Sequence, residues 1–156
     1  MTTFSLDQLT AFIVQAKAAT YVGSGAHSAA CRPASHDLQF RDGAFAYLDS
    51  YFGGADFIGE EVVYFADRPV WALNYYGRIL KPALISPAET GQAIQTSLSL
   101  MYQQGRFLGG FEHATPWGTY HDASQGDVTS FTGQEWIMRE GVRVYELAYH
   151  GGLIKE

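Results

Sequence analysis

One cysteine, Cys31, occurs in 156 residues. An internal disulfide and a zinc site built from several thiolates are therefore excluded, and a reducing cytoplasm is the expected location. Basic residues are also few. Ten Lys+Arg stand against 16 Asp+Glu, a formal charge of −6. That balance argues against phosphate-backbone binding, so no nucleic-acid partner is expected of this chain alone. No apolar run reaches the ~18–20 residues of a membrane span, and the N-terminus has neither a basic flank nor an apolar core. The expectation is a soluble protein without a signal peptide or a membrane partner.

Aromatic residues are in excess. Ten Tyr, ten Phe and three Trp make 15% of the chain, alongside 17 Gly. This mixture favours β-structure with tight turns and a wide aromatic surface. The 47% apolar fraction is that of a globular protein, and the length suits one domain over residues 1–156.

Two helices are marked by their first turns. Ser5 and Gln8 have capping-box spacing, with Phe4 and Leu9 at staple spacing; Leu6, Leu9, Phe12, Ile13 and Ala16 then share one face, and Gly23 is the expected stop. Ser86, Pro87 and Glu89 open the second helix, whose face is Ala93, Ile94, Ser97, Leu98 and Met101, ending before Gly105. Strands are expected in hairpins around Asp42-Gly43, Asp67-Arg68 and Glu140-Gly141, with Arg106–Phe111 and Trp117–His121 also extended. Residues 23–36 and 112–130 are expected as long loops.

Residues Phe57–Leu80 align without a gap on Phe131–Ile154, an offset of 74 residues. Seven of the 24 pairs are identical, including Gly59/Gly133, Glu61/Glu135 and Tyr75/Tyr149, where chance would give about one or two. Each segment follows a capped helix. The chain thus reads as an α+β fold, internally duplicated as pseudo-repeats of about 5–80 and 86–154. Each half is a helix plus antiparallel strands, giving a curved antiparallel sheet with two main helices on one face. A turn at Asp67-Arg68 sets Tyr64 opposite Trp71, Val62 opposite Leu73 and Glu60 opposite Tyr75, and places all six on the core face. The equivalents in the second half are Met138, Tyr145, Trp136, Leu147, Gln134 and Tyr149. Glu61, Asn74, Tyr76, Glu135, Ala148 and His150 then fall on the opposite face; a slip of one residue exchanges the two.

Arg32, Ser35, His36 and Asp37 end a Gly/Ala/Ser-rich loop before the first strand. They suit anion binding or acid–base chemistry, with His36 and Asp37 as the catalytic candidates and Ser35 or Cys31 as nucleophiles; a turn in which Ser35 or Asp37 bonds local backbone is the structural alternative. Glu60 and Glu61 stand beside Tyr75 and Tyr76. A carboxylate among rings offers an organic cation neutralisation and cation–π contact, or serves as a general base, as with the candidate Glu60; a Glu–Tyr hydrogen bond closing the sheet is the alternative. Of the five histidines, His27, His36, His113, His121 and His150, His121 with Asp122 and His113 with Glu112 offer metal ligands across the fold, but no HxxxH or HExxH spacing exists, so neither a metal nor another cofactor is expected.

The stretches Cys31–Phe40, Asn74–Arg78 and Tyr145–Gly152 resemble a bacterial family of domains of unknown function, whose members often sit behind a helix-turn-helix of the xenobiotic-response-element type. A weaker likeness is to gyrase-inhibitory-protein-like domains, which imply an aromatic cleft with a carboxylate for hydrophobic, often cationic molecules; no strand precedes the first helix here, a departure from that pattern. The functional expectation is a sensor-type domain with an aromatic cleft for a small hydrophobic or cationic ligand. Its contacts would come from Arg32, His36, Glu60, Glu61, Trp71, Tyr75, Tyr76, Tyr145, Tyr149 and His150. The alternatives are a small hydrolase or isomerase using His36/Asp37 or Glu60/Glu61, and a module whose aromatic surface binds a protein partner, a homodimer included.

Overall fold

A computed structural model describes residues 3–22 and 27–156. Helix α1 (Leu6–Lys17) begins with the Ser5/Gln8 capping box and runs into a π-helical turn, Ala18–Val22. Helix α2 (Pro87–Gln103) begins with the Ser86/Glu89 box and Pro87 in its first turn. The strands are β1 (His27–Ser28), β2 (His36–Asp42), β3 (Phe45–Gly53), β4 (Phe57–Phe65), β5 (Arg68–Ile79), β6 (Phe111–Thr115), β7 (Gly118–Asp127), β8 (Ser130–Arg139) and β9 (Val142–Leu153). All pair antiparallel in one nine-stranded sheet of order β1-β2-β3-β4-β5-β9-β8-β7-β6. Among the described residues no helix is long and apolar enough to cross a membrane.

The fold is α+β, with α1 against β2 and β3 and α2 against β6 and β7. The first and second halves of the sheet meet at β5 and β9, where Tyr75 lies directly opposite Tyr149. Tyr75 and Tyr149, equivalent at the 74-residue offset, thus face each other at the centre of the sheet. Leu9, Phe12, Ile13, Ala93, Ile94, Met101, Val63, Trp71, Ile137, Val144 and Tyr145 form the buried layer between helices and strands. Leu6, placed on the α1 core face by periodicity, is instead 46% exposed, in the first turn of the helix. The expected stop at Gly23 lies outside the described residues; the α-helix itself ends at Lys17.

Both central hairpins differ from the expected register in the same way. The β4–β5 turn is Ala66-Asp67, with φ of 48° and 62°, and not Asp67-Arg68. Two successive positive φ values are what a two-residue hairpin turn needs to match the strand twist. The β8–β9 turn, Glu140-Gly141, has the same signature at 52° and 75°. A register shift follows at Val63/Tyr64 and again at Ile137/Met138. Val63 therefore pairs with Trp71, Glu61 with Leu73 and Gly59 with Tyr75. On β5 the inward set Trp71, Leu73 and Tyr75 stands as expected, whereas on β4 the faces are exchanged. Glu61 and Glu135 point inward and are buried; Glu60 and Gln134 are exposed on the outer face. Nor is 112–130 a loop: β6 and β7 occupy most of it, with Phe111 opposite Asp122. The first hairpin turns at Gly43-Ala44, one residue beyond the expected dipeptide, since Asp42 pairs with Phe45.

Candidate functional site: an acidic, tyrosine-walled cavity

A cavity of about 450 Å³ lies between the inner face of the sheet and the helices. Lys17, Thr20 and Tyr21 reach it from α1 and the π turn, Leu98 and Tyr102 from α2, and Phe107 from the segment after α2. Spacings of three and four residues put the first trio on one helical face. The floor is made by Asp49 and Tyr51 of β3, Phe57 and Glu61 of β4, Leu73 and Tyr75 of β5, Leu147 and Tyr149 of β9, Glu135 of β8 and Asp122 of β7.

Strand alternation brings the carboxyl groups together in two matching sets. Asp49 lies directly opposite Glu61 on the neighbouring strand, and Asp122 directly opposite Glu135. In the first set Tyr47 donates to Glu61, and the Tyr75 hydroxyl donates to Asp49 Oδ1 at 2.7 Å. In the second Tyr120 donates to Glu135, and the Tyr149 hydroxyl donates to Asp122 Oδ1 at 2.8 Å. Each bridging tyrosine crosses a glycine to get there. A Cβ on Gly59 would stand 2.5 Å from the Tyr75 hydroxyl oxygen, and one on Gly133 would stand 2.0 Å from the Tyr149 ring. Only a residue without a side chain lets the phenol lie flat over the intervening strand.

The sets differ in what completes them. Lys17 Nζ donates to both oxygens of Glu61, at 2.9 and 2.7 Å, and lies 5.6 Å from the Phe107 ring centre. Glu135 instead takes a second tyrosine, Tyr145, at 2.9 Å. Asp122 Oδ2 is buried with no hydrogen-bond partner among the described residues.

Burial sets the electrostatics. Loss of solvation, reinforced by the Glu61 charge opposite, pushes the Asp49 carboxyl up to about 7. Loss of solvation likewise raises Glu135 to about 7, where donation by Tyr120 opposes the rise and the Asp122 charge adds to it. Desolvation lifts Asp122 to about 6 against the hydrogen bond from Tyr149 and the charges of Lys17 and Arg106. The surrounding tyrosines, buried beside carboxylates, are held well above their ordinary range and stay protonated donors. Asp49, Asp122 and Glu135 are therefore carboxyls poised to ionise near neutral pH, in apolar and phenolic walls.

Of the residues singled out in the sequence, Glu61, Tyr75 and Tyr149 line this cavity. Trp71 and Tyr145 are fully buried beside it; the Trp71 indole donates to the Val128 carbonyl at 3.1 Å. Glu60, Tyr76 and His150 are exposed on the outer face and do not join them. Arg32 and His36 lie elsewhere again, at the start of β2. Arg32 Nη2 donates to the Ser50 hydroxyl at 2.9 Å and stands 4.6 Å over the Phe52 ring centre, while His36 is exposed beside Tyr51. Asp37 is 2% exposed. Burial works to raise its carboxyl, but bonds from the Cys31 amide, Ser35 and Ser50 outweigh it and hold the group at about 2. A carboxylate so fully served is a structural anchor, and it is poorly suited to take a proton near neutral pH.

As contacts for an organic ligand, the pattern reading passes over Lys17, Asp49, Asp122 and Glu135. A signal for the aspartates exists: Tyr47-Leu48-Asp49 and Tyr120-His121-Asp122 repeat one motif at an offset of 73, one residue short of the gap-free alignment. No curated protein and no solved structure matches the chain significantly. A family model does match, over residues 49–154, from the first cavity aspartate to the end of β9. Helix α1, Lys17 and the Arg32–Asp37 stretch lie before that match. By this match across most of its length, the chain belongs to the family described as a domain of unknown function, DUF5680.

Proposed function

We propose that this protein is a ligand-binding domain of the sensor type, which takes a small hydrophobic organic cation into the cavity. The observation that carries this reading is the pairing of four carboxyl groups, Asp49, Glu61, Asp122 and Glu135, with a single lysine in a 450 Å³ space walled by aromatic rings. That volume is within the range of about 300–1,000 Å³ typical of small-molecule sites. A cation gains twice there: carboxylates neutralise it at low dielectric, and phenol faces attract it. Duplication of a helix-plus-strands unit is supported by the matched turns, bulges and tyrosine–carboxyl sets, and it would account for a site at the junction of two halves. The resemblance to bacterial domains that follow a helix-turn-helix suits the cytoplasmic sensing part of a regulator.

The test is a melting experiment with phenethylamine and its uncharged counterpart phenethyl alcohol, each at about 100 times the dissociation constant of a binder, where binding adds about 2.7 kcal/mol. The amine is expected to raise the midpoint by several degrees and the alcohol to leave it unchanged. Equal shifts from both would remove charge from the recognition.

One observation favours a second reading, acid–base catalysis: Asp49, Asp122 and Glu135 are displaced toward neutrality by burial inside a cavity, as catalytic carboxyls are. In that case Asp122 and Glu135 would do the work given in the sequence reading to His36/Asp37. Turnover of a bound amine or ester that disappears in Glu135→Gln with binding intact would support it; binding without turnover would not.

A further inference from the structure

The two acid centres of the cavity are built alike and neutralised differently. At the first, Glu61 accepts from Tyr47 and Asp49 from Tyr75; at the second, Glu135 accepts from Tyr120 and Asp122 from Tyr149. Lys17, only 8% exposed, occupies the first centre with its ammonium on both oxygens of Glu61. Among the described residues no Lys or Arg forms an ion pair at the second centre. Arg106 approaches but spends its Nη1 on the carbonyls of Leu108 and Gly110. Both oxygens of Glu135 are served by tyrosines, through Tyr120 and Tyr145. Asp49 and Asp122 each keep one oxygen, Oδ2, without a donor among the described residues; that of Asp49 lies at the centre Lys17 already neutralises, whereas that of Asp122 is fully buried, on a residue that lines the cavity and is itself 8% exposed. A buried acceptor without a donor is a rarity that calls for a missing partner.

We infer that Lys17 is a tethered cation filling the first centre, and that the ligand is a monocation whose N–H donates to Asp122 at the second. This rests on the cation-binding reading above and adds the charge of the ligand, its donor and the residue that selects it. A second ammonium finds Glu61 already taken and Lys17 repelling it. A quaternary ammonium brings charge but no hydrogen for Asp122. Removing the lysine opens Glu61, and the preference moves to a dication.

Calorimetric titration of the full chain at about pH 8, where Asp122 is ionised, separates these cases with octylamine, octyltrimethylammonium and α,ω-alkanediamines from putrescine to decamethylenediamine. The wild type is expected to bind octylamine about tenfold or more tighter than the quaternary ion or any diamine. Asp122→Asn should weaken octylamine by about tenfold or more, and Asp49→Asn by less than about threefold. Lys17→Met should shift the diamine-to-monoamine affinity ratio by at least about tenfold toward the diamine. Equal losses in the two aspartate variants overturn the inference, as does a folded Lys17→Met protein with an unchanged ratio; if that variant does not fold, the aspartate pair decides alone. Failure of every amine to bind the wild type removes the cation-binding reading itself, whereas binding without these asymmetries removes only the present step.

Discussion

Replacing Asp122 by Asn should change how stability depends on pH, and the size of the change follows from the burial of one carboxyl. In the folded protein the group titrates at about 6, against an ordinary value of 3.8, because desolvation outweighs the hydrogen bond from Tyr149. A raised folded value means the fold holds the proton more tightly than the unfolded chain. The carboxyl is then best tolerated at low pH, and stability falls as pH rises through the folded value. Between about pH 4 and pH 7 this one group should cost roughly 2 kcal/mol, with little further change above. Asn keeps an oxygen for the Tyr149 hydroxyl and has no charge to desolvate. Relative to the wild type, Asp122→Asn should therefore gain roughly 2 kcal/mol across that interval, or roughly 4–8 °C in midpoint for a chain of this size. Thermal melts of both proteins without ligand, followed by circular dichroism at half-unit steps of pH, read the difference directly and cancel surface titrations common to both. Parallel pH profiles, or a variant that loses ground as pH rises, would refute the placement of Asp122 as a desolvated, underserved carboxyl.

Three further perturbations probe the scaffold. Gly133→Ala forces a methyl into the Tyr149 ring and should cost roughly 1–3 kcal/mol in urea unfolding, whereas Gly54→Ala, with open space at its Cβ, should be near neutral. Ser5→Ala and Ser86→Ala each remove a side-chain cap on a helix start and should each cost about 1 kcal/mol by the same assay. Lys17→Met strands Glu61 as a buried charge and should cost roughly 3–5 kcal/mol, most of which should return in Lys17→Met/Glu61→Gln; a double variant no more stable than the single one would mean that Lys17 contributes by packing alone.

Much of the architecture was legible because local rules carry it. Ser5 with Gln8 and Ser86 with Glu89 declare both helix starts, and Glu140-Gly141 declares the last hairpin. The turn moves by one residue, from Asp67-Arg68 to Ala66-Asp67, the pair aligned with Glu140-Gly141, and that move alone leaves each residue on its face. The bulge beyond it, where Val70 has no partner between Pro69 and Trp71, adds the single residue of slip that exchanges the faces of a strand, so Glu60 and Glu61 trade places while Trp71, Leu73 and Tyr75 do not. The site was half legible. Glu61, Tyr75 and Tyr149 stand out as repeated residues, but Lys17 reaches Glu61 across 44 positions of sequence, and Asp49 meets Tyr75 across an intervening strand. Contacts of that range depend on packing that no local pattern encodes. The dense Arg32–Asp37 stretch misleads for the opposite reason: its polar groups satisfy one another.

Titration of phenethylamine against phenethyl alcohol into the wild type at about pH 8, repeated at about pH 5, tests the central claim most directly. Selective binding of the amine, weakening as the cavity carboxyls take up protons at the lower pH, is the expected result. Equal binding of amine and alcohol, or amine affinity that does not change between the two conditions, would contradict it.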